Sequence, residues 1–242
     1  MADLRIGCSG WAYKDWRGPF YPPEVKVKDR LAYYASRFST AEINASFYGL
    51  PTEKAVAAWR DSVPDGFLFA WKASRFLTHN KKLKDPADSL ALILERMAGL
   101  GDRFGPILFQ LPPSLAPDVP RLADFLALLP KARRATVEFR HPGWYVGAVF
   151  DLLREHDVSL CLSDHHHAPA PWETTASFVY VRAHGPGGRY RGRYADSALQ
   201  ALAARIGQWR EARLDVFCYF DNDIKSAAPN DAERLIELTA GR

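Results

Sequence analysis

Two glutamates each lead a short polar pair out of an apolar run, in Glu42-Ile-Asn44 and Glu138-Phe-Arg140. A carboxylate in such a setting can move a proton if its surroundings set a suitable pKa, so Glu42 and Glu138 are the acid/base candidates. His184, in Arg182-Ala-His184, is the partner acid. Lys72, Arg140 and Arg182 fall at the ends of three different apolar runs and would form a clamp for a phosphate or carboxylate, with the arginines offering bidentate forks. Asn44, Gln110 and Asn222 add amides, and Trp11 and Tyr48 stand among loop aromatics able to stack a planar ligand. The same charges could instead satisfy one another, since a buried charge needs a partner. Under the catalytic expectation, Glu138→Gln abolishes turnover and leaves folding intact.

A metal is the competing chemistry. Glu138, Asp164, His184 and Asp221 fall at successive run ends and would suit a divalent cation, but the cations compete for the same carboxylates and no H-E-x-x-H pair occurs. A metal-independent site without a cofactor is the expectation. His165-His166-His167 reads as a solvated loop in a Pro-rich stretch.

Positioning these groups together requires parallel strands with one shared end. Strand-like runs cover residues 4–10, 40–47, 67–73, 105–111, 135–140, 158–164, 178–184 and 215–221. Helical spacing lies between them: residues 28–38, a start near Thr52, a helix reaching Leu100 behind Asp85-Pro86 as cap and first turn, then runs through Leu122–Leu129, Val149–Leu153 and 198–209. Asn230-x-x-Glu233 is a capping box for the last helix. Between Asp164 and Ser177 the prolines leave helix six, due after strand six, missing or reduced to a turn. The alternation predicts an α/β fold, a single-domain TIM-type (β/α)8 barrel over residues 1–242, with an open doubly wound sheet as runner-up. Alternation along strands places Glu42, Asn44, Ser46, Thr136, Glu138, Arg140, Tyr180, Arg182 and His184 on the inward face.

Composition narrows the class. The chain has 242 residues, 48% hydrophobic and 25% charged, without a linker-like stretch, as expected of one globular domain. Cys8, Cys161 and Cys218 are odd in number and lie inside apolar runs, which argues against a disulfide framework or zinc knuckle. No apolar stretch at the start resembles a secretion signal and none is long enough to span a bilayer, so a cytoplasmic location without membrane attachment is expected. A formal charge of +4 suits a small anionic ligand, phosphorylated ones included, more than a dedicated nucleic-acid surface. The Arg189–Tyr194 stretch is the most basic, with interleaved aromatics, and keeps nucleic acid as an unfavoured partner.

Several separated motifs also resemble one family. They are Ile6-Gly-Cys-Ser-Gly-Trp-x-Tyr-x-x-Trp16-x-Gly-x-Phe-Tyr-Pro22, Glu42-Ile-Asn44-x-x-Phe-Tyr-x-Leu-Pro51, Thr78-His79, Gln110-Leu-Pro-Pro113, Val137-Glu-Phe-Arg-His141, Arg182-x-His-Gly185 and Phe220-Asp-Asn-Asp223. Their order resembles the YecE-like family, domain of unknown function 72 (DUF72). The resemblance implies a TIM-type barrel and no settled reaction. The chain departs from the family pattern at Ala45 and at Asp221-Asn222-Asp223, where many relatives carry paired amides.

Overall fold

The computed structural model describes residues 2–240. Eight parallel strands close into one barrel in chain order: β1 (Leu4–Ser9), β2 (Thr40–Ile43), β3 (Leu68–Lys72), β4 (Phe104–Gln110), β5 (Ala135–Glu138), β6 (Ser159–Ser163), β7 (Phe178–Ala183) and β8 (Asp215–Phe220), with β8 pairing back onto β1. Helices α1 (Arg30–Ala35), α2 (Ala45–Tyr48), α3 (Glu53–Asp61), α4 (Ala87–Ala98), α5 (Val119–Ala127), α6 (Gly147–Glu155), α7 (Asp196–Glu211) and α8 (Ala227–Ala240) accompany them. This is the single-domain α/β barrel that the alternation predicts. Among the described residues no helix is long and apolar enough to cross a membrane.

Local chemistry explains several boundaries. Thr52 caps α3 by accepting from the Ala55 amide, and Asp118 caps α5 by accepting from the Arg121 amide ahead of the apolar stripe Leu122, Phe125 and Leu126. Phe125 meets Phe109 of β4 at 4.9 Å between ring centroids, which fixes α5 on the outer face of the sheet. As expected, residues 164–177 hold only turns, bends and irregular chain, so the helix due after β6 is missing. Its absence leaves a groove of about 480 Å³ outside β6 and β7, lined by Leu162, Val181, Ala183, Leu202 and Trp172.

Three boundaries differ from the sequence expectation. The second strand stops at Ile43, because residues 45–48 turn into α2, where the Ser46 hydroxyl donates to the Ile43 and Lys72 carbonyls. Asp85 does not cap α4: its φ of 42° is left-handed, whereas a capping residue is extended. Asn230 lies inside α8, its side chain donating to the Ser226 carbonyl, while Glu233 pairs with Arg37, so no capping box forms.

The barrel interior has two storeys. Near the strand starts, Ala70, Leu108, Cys161, Phe178, Tyr180, Phe217 and Tyr219 form a closed apolar plug. Above it lie Ser9, Glu42, Lys72, Gln110, Glu138, Ser163 and Arg182, all buried. The two tyrosines join the storeys, since the Tyr180 hydroxyl donates to Glu42 at 2.6 Å and Tyr219 shares a 2.7 Å hydrogen bond with Thr40. Cys8 and Cys218 face the helices and Cys161 faces inward; all three are free and buried, and burial pushes their thiols up.

Candidate functional site at the carboxyl ends of the strands

Register brings the polar groups to one level. Ser9 pairs with Glu42, Gln110 with Glu138, and Ser163 with Arg182, all at the carboxyl ends of adjacent strands. Arg182 is their hub. Its Nε and Nη2 donate to Glu42 at 3.1 and 2.8 Å, its Nη1 to Glu138 at 2.9 Å, and its Nη2 also to Asp221 at 2.7 Å and Ser9 at 2.9 Å. A guanidinium with this many charged acceptors is rigid, and these bonds are of the strong charge-assisted kind.

Both glutamates are hydrogen-bonded on both oxygens. Glu42 accepts from Ser9, Tyr180 and twice from Arg182. Glu138 forms an ion pair with Arg140 at 2.6 Å and accepts from Gln110 at 2.9 Å, Ser163 at 3.0 Å and Arg182. Burial opposes the charge on Glu42, but the Arg182 and Lys72 cations and the hydroxyl donors outweigh it and hold the carboxyl below its ordinary value. For Glu138, burial is likewise outweighed by Arg140 and Arg182, which hold it well below the carboxylate range. With several donors on each carboxylate and the charged form favoured, the pair is built to fix cations in place, a setting that makes each a weak proton acceptor.

His184 lies between two arginines. Its Nε2 receives N–H groups of Arg140 and Arg182, each at 3.1 Å, which assigns the ring proton to Nδ1, facing Asp164 at 3.2 Å. The proposed metal ligands do gather here, with Glu138, Asp164 and Asp221 at 3.7, 3.2 and 3.5 Å from the ring nitrogens. The guanidinium groups occupy the position a cation would take, and among the described residues no group of three or more acidic, His or Cys side chains is arranged to hold a metal.

Two cations keep unused capacity. Lys72, 9% exposed, has Nζ over the Phe47 ring at 4.5 Å and, among the described residues, no hydrogen-bond or ion-pair partner. Arg140 donates to the Tyr190 hydroxyl at 3.0 Å, and its buried Nε has no acceptor. Asn44 donates to Ser9 at 2.7 Å while its buried Oδ1 is unpartnered. Burial, then the Asp221 charge, raises the Asp223 carboxyl.

Two histidines join the site without having been singled out as site residues. A π-helical turn, Phe76–Asn80, carries His79 onto the edge of Phe47 at 5.0 Å, and Thr78 holds its Nδ1 at 2.9 Å. Burial, then the Lys72 charge, lowers His79 to about 4. His165 packs edge-on against His184 at 5.3 Å, and burial, then Arg140, lowers it to about 3, so the histidine run is partly structural rather than wholly solvated. The only sequence signal for His79 is the Thr78-His79 pair.

Other expected ligand contacts lie elsewhere. Trp11 packs on Trp59 and on Phe69, an outward residue of β3, at 5.7 and 5.9 Å, so it belongs to the helix layer. Tyr48 is 76% exposed at the end of α2. Asn222 spends its amide N–H groups on Gly192 and Asp231, tying a loop to α8. The Arg189–Tyr194 loop is pinned too: Tyr190 accepts from Arg140, Tyr194 donates to Asp164 and accepts from the Gly185 amide at 2.7 Å, and Arg193 pairs with Asp231.

Comparison with known proteins agrees with the architecture. The profile of the family described as a protein of unknown function, DUF72, matches residues 5–242. The UPF0759 protein YunF of Bacillus subtilis is 23% identical over 97% of this chain and 94% of its own length. A crystal structure of a DUF72 family protein from Thermotoga maritima superposes with a TM-score of 0.87 at 24% identity, covering 98% of this chain and 99% of that one. One from Enterococcus faecalis gives a TM-score of 0.84 at 19% identity, covering 98% and 95%.

Proposed function

The chain belongs to the DUF72 family, and on that premise we propose that it is a metal-independent enzyme acting by acid/base chemistry on a small anionic molecule at the barrel mouth. Arg140 is the principal anion contact, with Lys72 beside it and Arg182 as a fixed positive centre. The observation that carries this reading is the division of labour among the cations. Arg182 is consumed by three carboxylates, whereas Lys72 Nζ and Arg140 Nε have no acceptor among the described residues. A buried donor without a partner costs about 1–3 kcal/mol, so a ligand oxygen placed there recovers that cost. Asn44 Oδ1 offers the ligand an acceptor, and His79, neutral near pH 7, offers a ring nitrogen for proton transfer. The reading places the protein in the cytoplasm, which its three unpaired cysteines suit.

Thermal-shift titration with inorganic phosphate and with phosphorylated and carboxylate metabolites tests it. Ligand binding raises the melting temperature by mass action, and Arg140→Gln is expected to weaken phosphate affinity by about tenfold or more, the loss of one charged hydrogen bond. No stabilisation of the wild-type protein by any anion rejects the reading.

A further inference from the structure

Lys72 is an unusual lysine for a buried position. It ends β3, points into the upper storey of the barrel and rests on the face of Phe47. The carboxylates that would hold it as an ammonium ion, Glu42, Glu138 and Asp221, are each committed to Arg182. At 9% exposure it is reached from the mouth but not surrounded by water. An amine drawn out of water and set close to a guanidinium, with no hydrogen-bond or ion-pair partner among the described residues, has its neutral, nucleophilic form favoured.

We propose that Lys72 forms an imine with the carbonyl carbon of a small anionic oxo compound, a keto or aldehyde carboxylate or phosphate, whose anionic group lies against Arg140. The proposal rests on the anion reading above and names the substrate class that the same site would take. Burial, then the Arg182 charge, lowers the amine to about 8, so a minor share, roughly a tenth, is free base at pH 7. Nζ attacks the carbonyl carbon, a C–N bond forms, the carbonyl electron pair moves to oxygen, and one nitrogen proton passes to that oxygen to give a neutral carbinolamine. The remaining nitrogen proton then passes to the hydroxyl, which leaves as water as the nitrogen lone pair forms C=N; one amine and one carbonyl yield one imine and one water, with no oxidant. His79 packs on the same Phe47 ring as Lys72 and, being neutral, can take the proton from nitrogen and return it to the departing hydroxyl.

The test is reductive trapping of the intact chain. Wild-type protein is incubated near neutral pH with pyruvate, dihydroxyacetone phosphate or neutral acetone plus cyanoborohydride, and labelled lysines are located by peptide mass spectrometry. Expected is labelling of Lys72 by the anionic carbonyls about tenfold faster than at exposed Lys14, Lys28 or Lys54, with Arg140→Gln slowing the reaction. Lys72 labelled no faster than those surface lysines by any probe overturns the imine assignment. If acetone labels Lys72 as fast as the anionic probes, the imine assignment stands and the anion reading falls. If no probe labels Lys72 while inorganic phosphate still stabilises the protein, the anion reading stands and the imine falls.

Discussion

Arg182 and Glu138 are both fully buried, and each is the other's compensation for leaving water. Desolvating an ion costs several kcal/mol, so such a pair is best broken by removing one member. Glu138→Gln would leave Arg140 and Arg182 facing a neutral amide. We therefore expect it to destabilise the fold by about 3–5 kcal/mol in urea unfolding, in place of the silent folding effect that a purely catalytic glutamate would show. The pH dependence has a defined sign. Because Glu42 and Glu138 titrate lower in the folded chain than unfolded, their contribution is complete above about pH 4.3 and fades as pH falls through the lower folded values. Glu138→Gln should shrink that acid limb. The inward placement of Glu42, Glu138 and Arg182 was legible from strand parity alone. Their saturation was not, because Glu42 and Arg182 are 140 residues apart and only barrel closure makes them neighbours.

At the scale of elements, β7 and the loop that begins at His184 work as one unit. Gly185 has φ +93°, and a Cβ there would lie 2.4 Å from the Arg191 carbonyl oxygen, so only glycine lets the loop fold back. That return places Tyr190 over His184 and Arg140. Gly185→Ala is expected to cost about 2–3 kcal/mol and to open residues 189–193 to limited proteolysis. Gly187→Ala, where a Cβ meets nothing within 4 Å, should stay within about 0.5 kcal/mol of wild type. The glycine was visible in Arg182-x-His-Gly185, but a basic, aromatic segment reads as a solvated loop until its tyrosines are seen turned inward. The missing helix six was legible because prolines act locally, through the lost N–H and the restricted preceding residue. The early end of β2 was not, because Ser46 turns the chain by donating to the carbonyl of Lys72 on the next strand.

For the whole molecule, closure of eight strands leaves no sheet edge and makes the polar storey part of the core. Fixed guanidinium groups supply positive charge among its carboxylates. Dialysis against a strong chelator is accordingly expected to leave the melting temperature and any phosphate-induced shift unchanged; a drop restored by a divalent cation would reinstate the metal reading. The order of strands and helices and the rim that collects the ionisable groups were determined by the sequence itself, since periodicity, turn chemistry and side-chain alternation act over a few residues. Which carboxylate meets which cation, which lysine is left without a partner and which histidine reaches the mouth were decided only by the tertiary structure. Those outcomes depend on register across the closed barrel and on competition among charges from distant strands, and neither leaves a local trace in the chain.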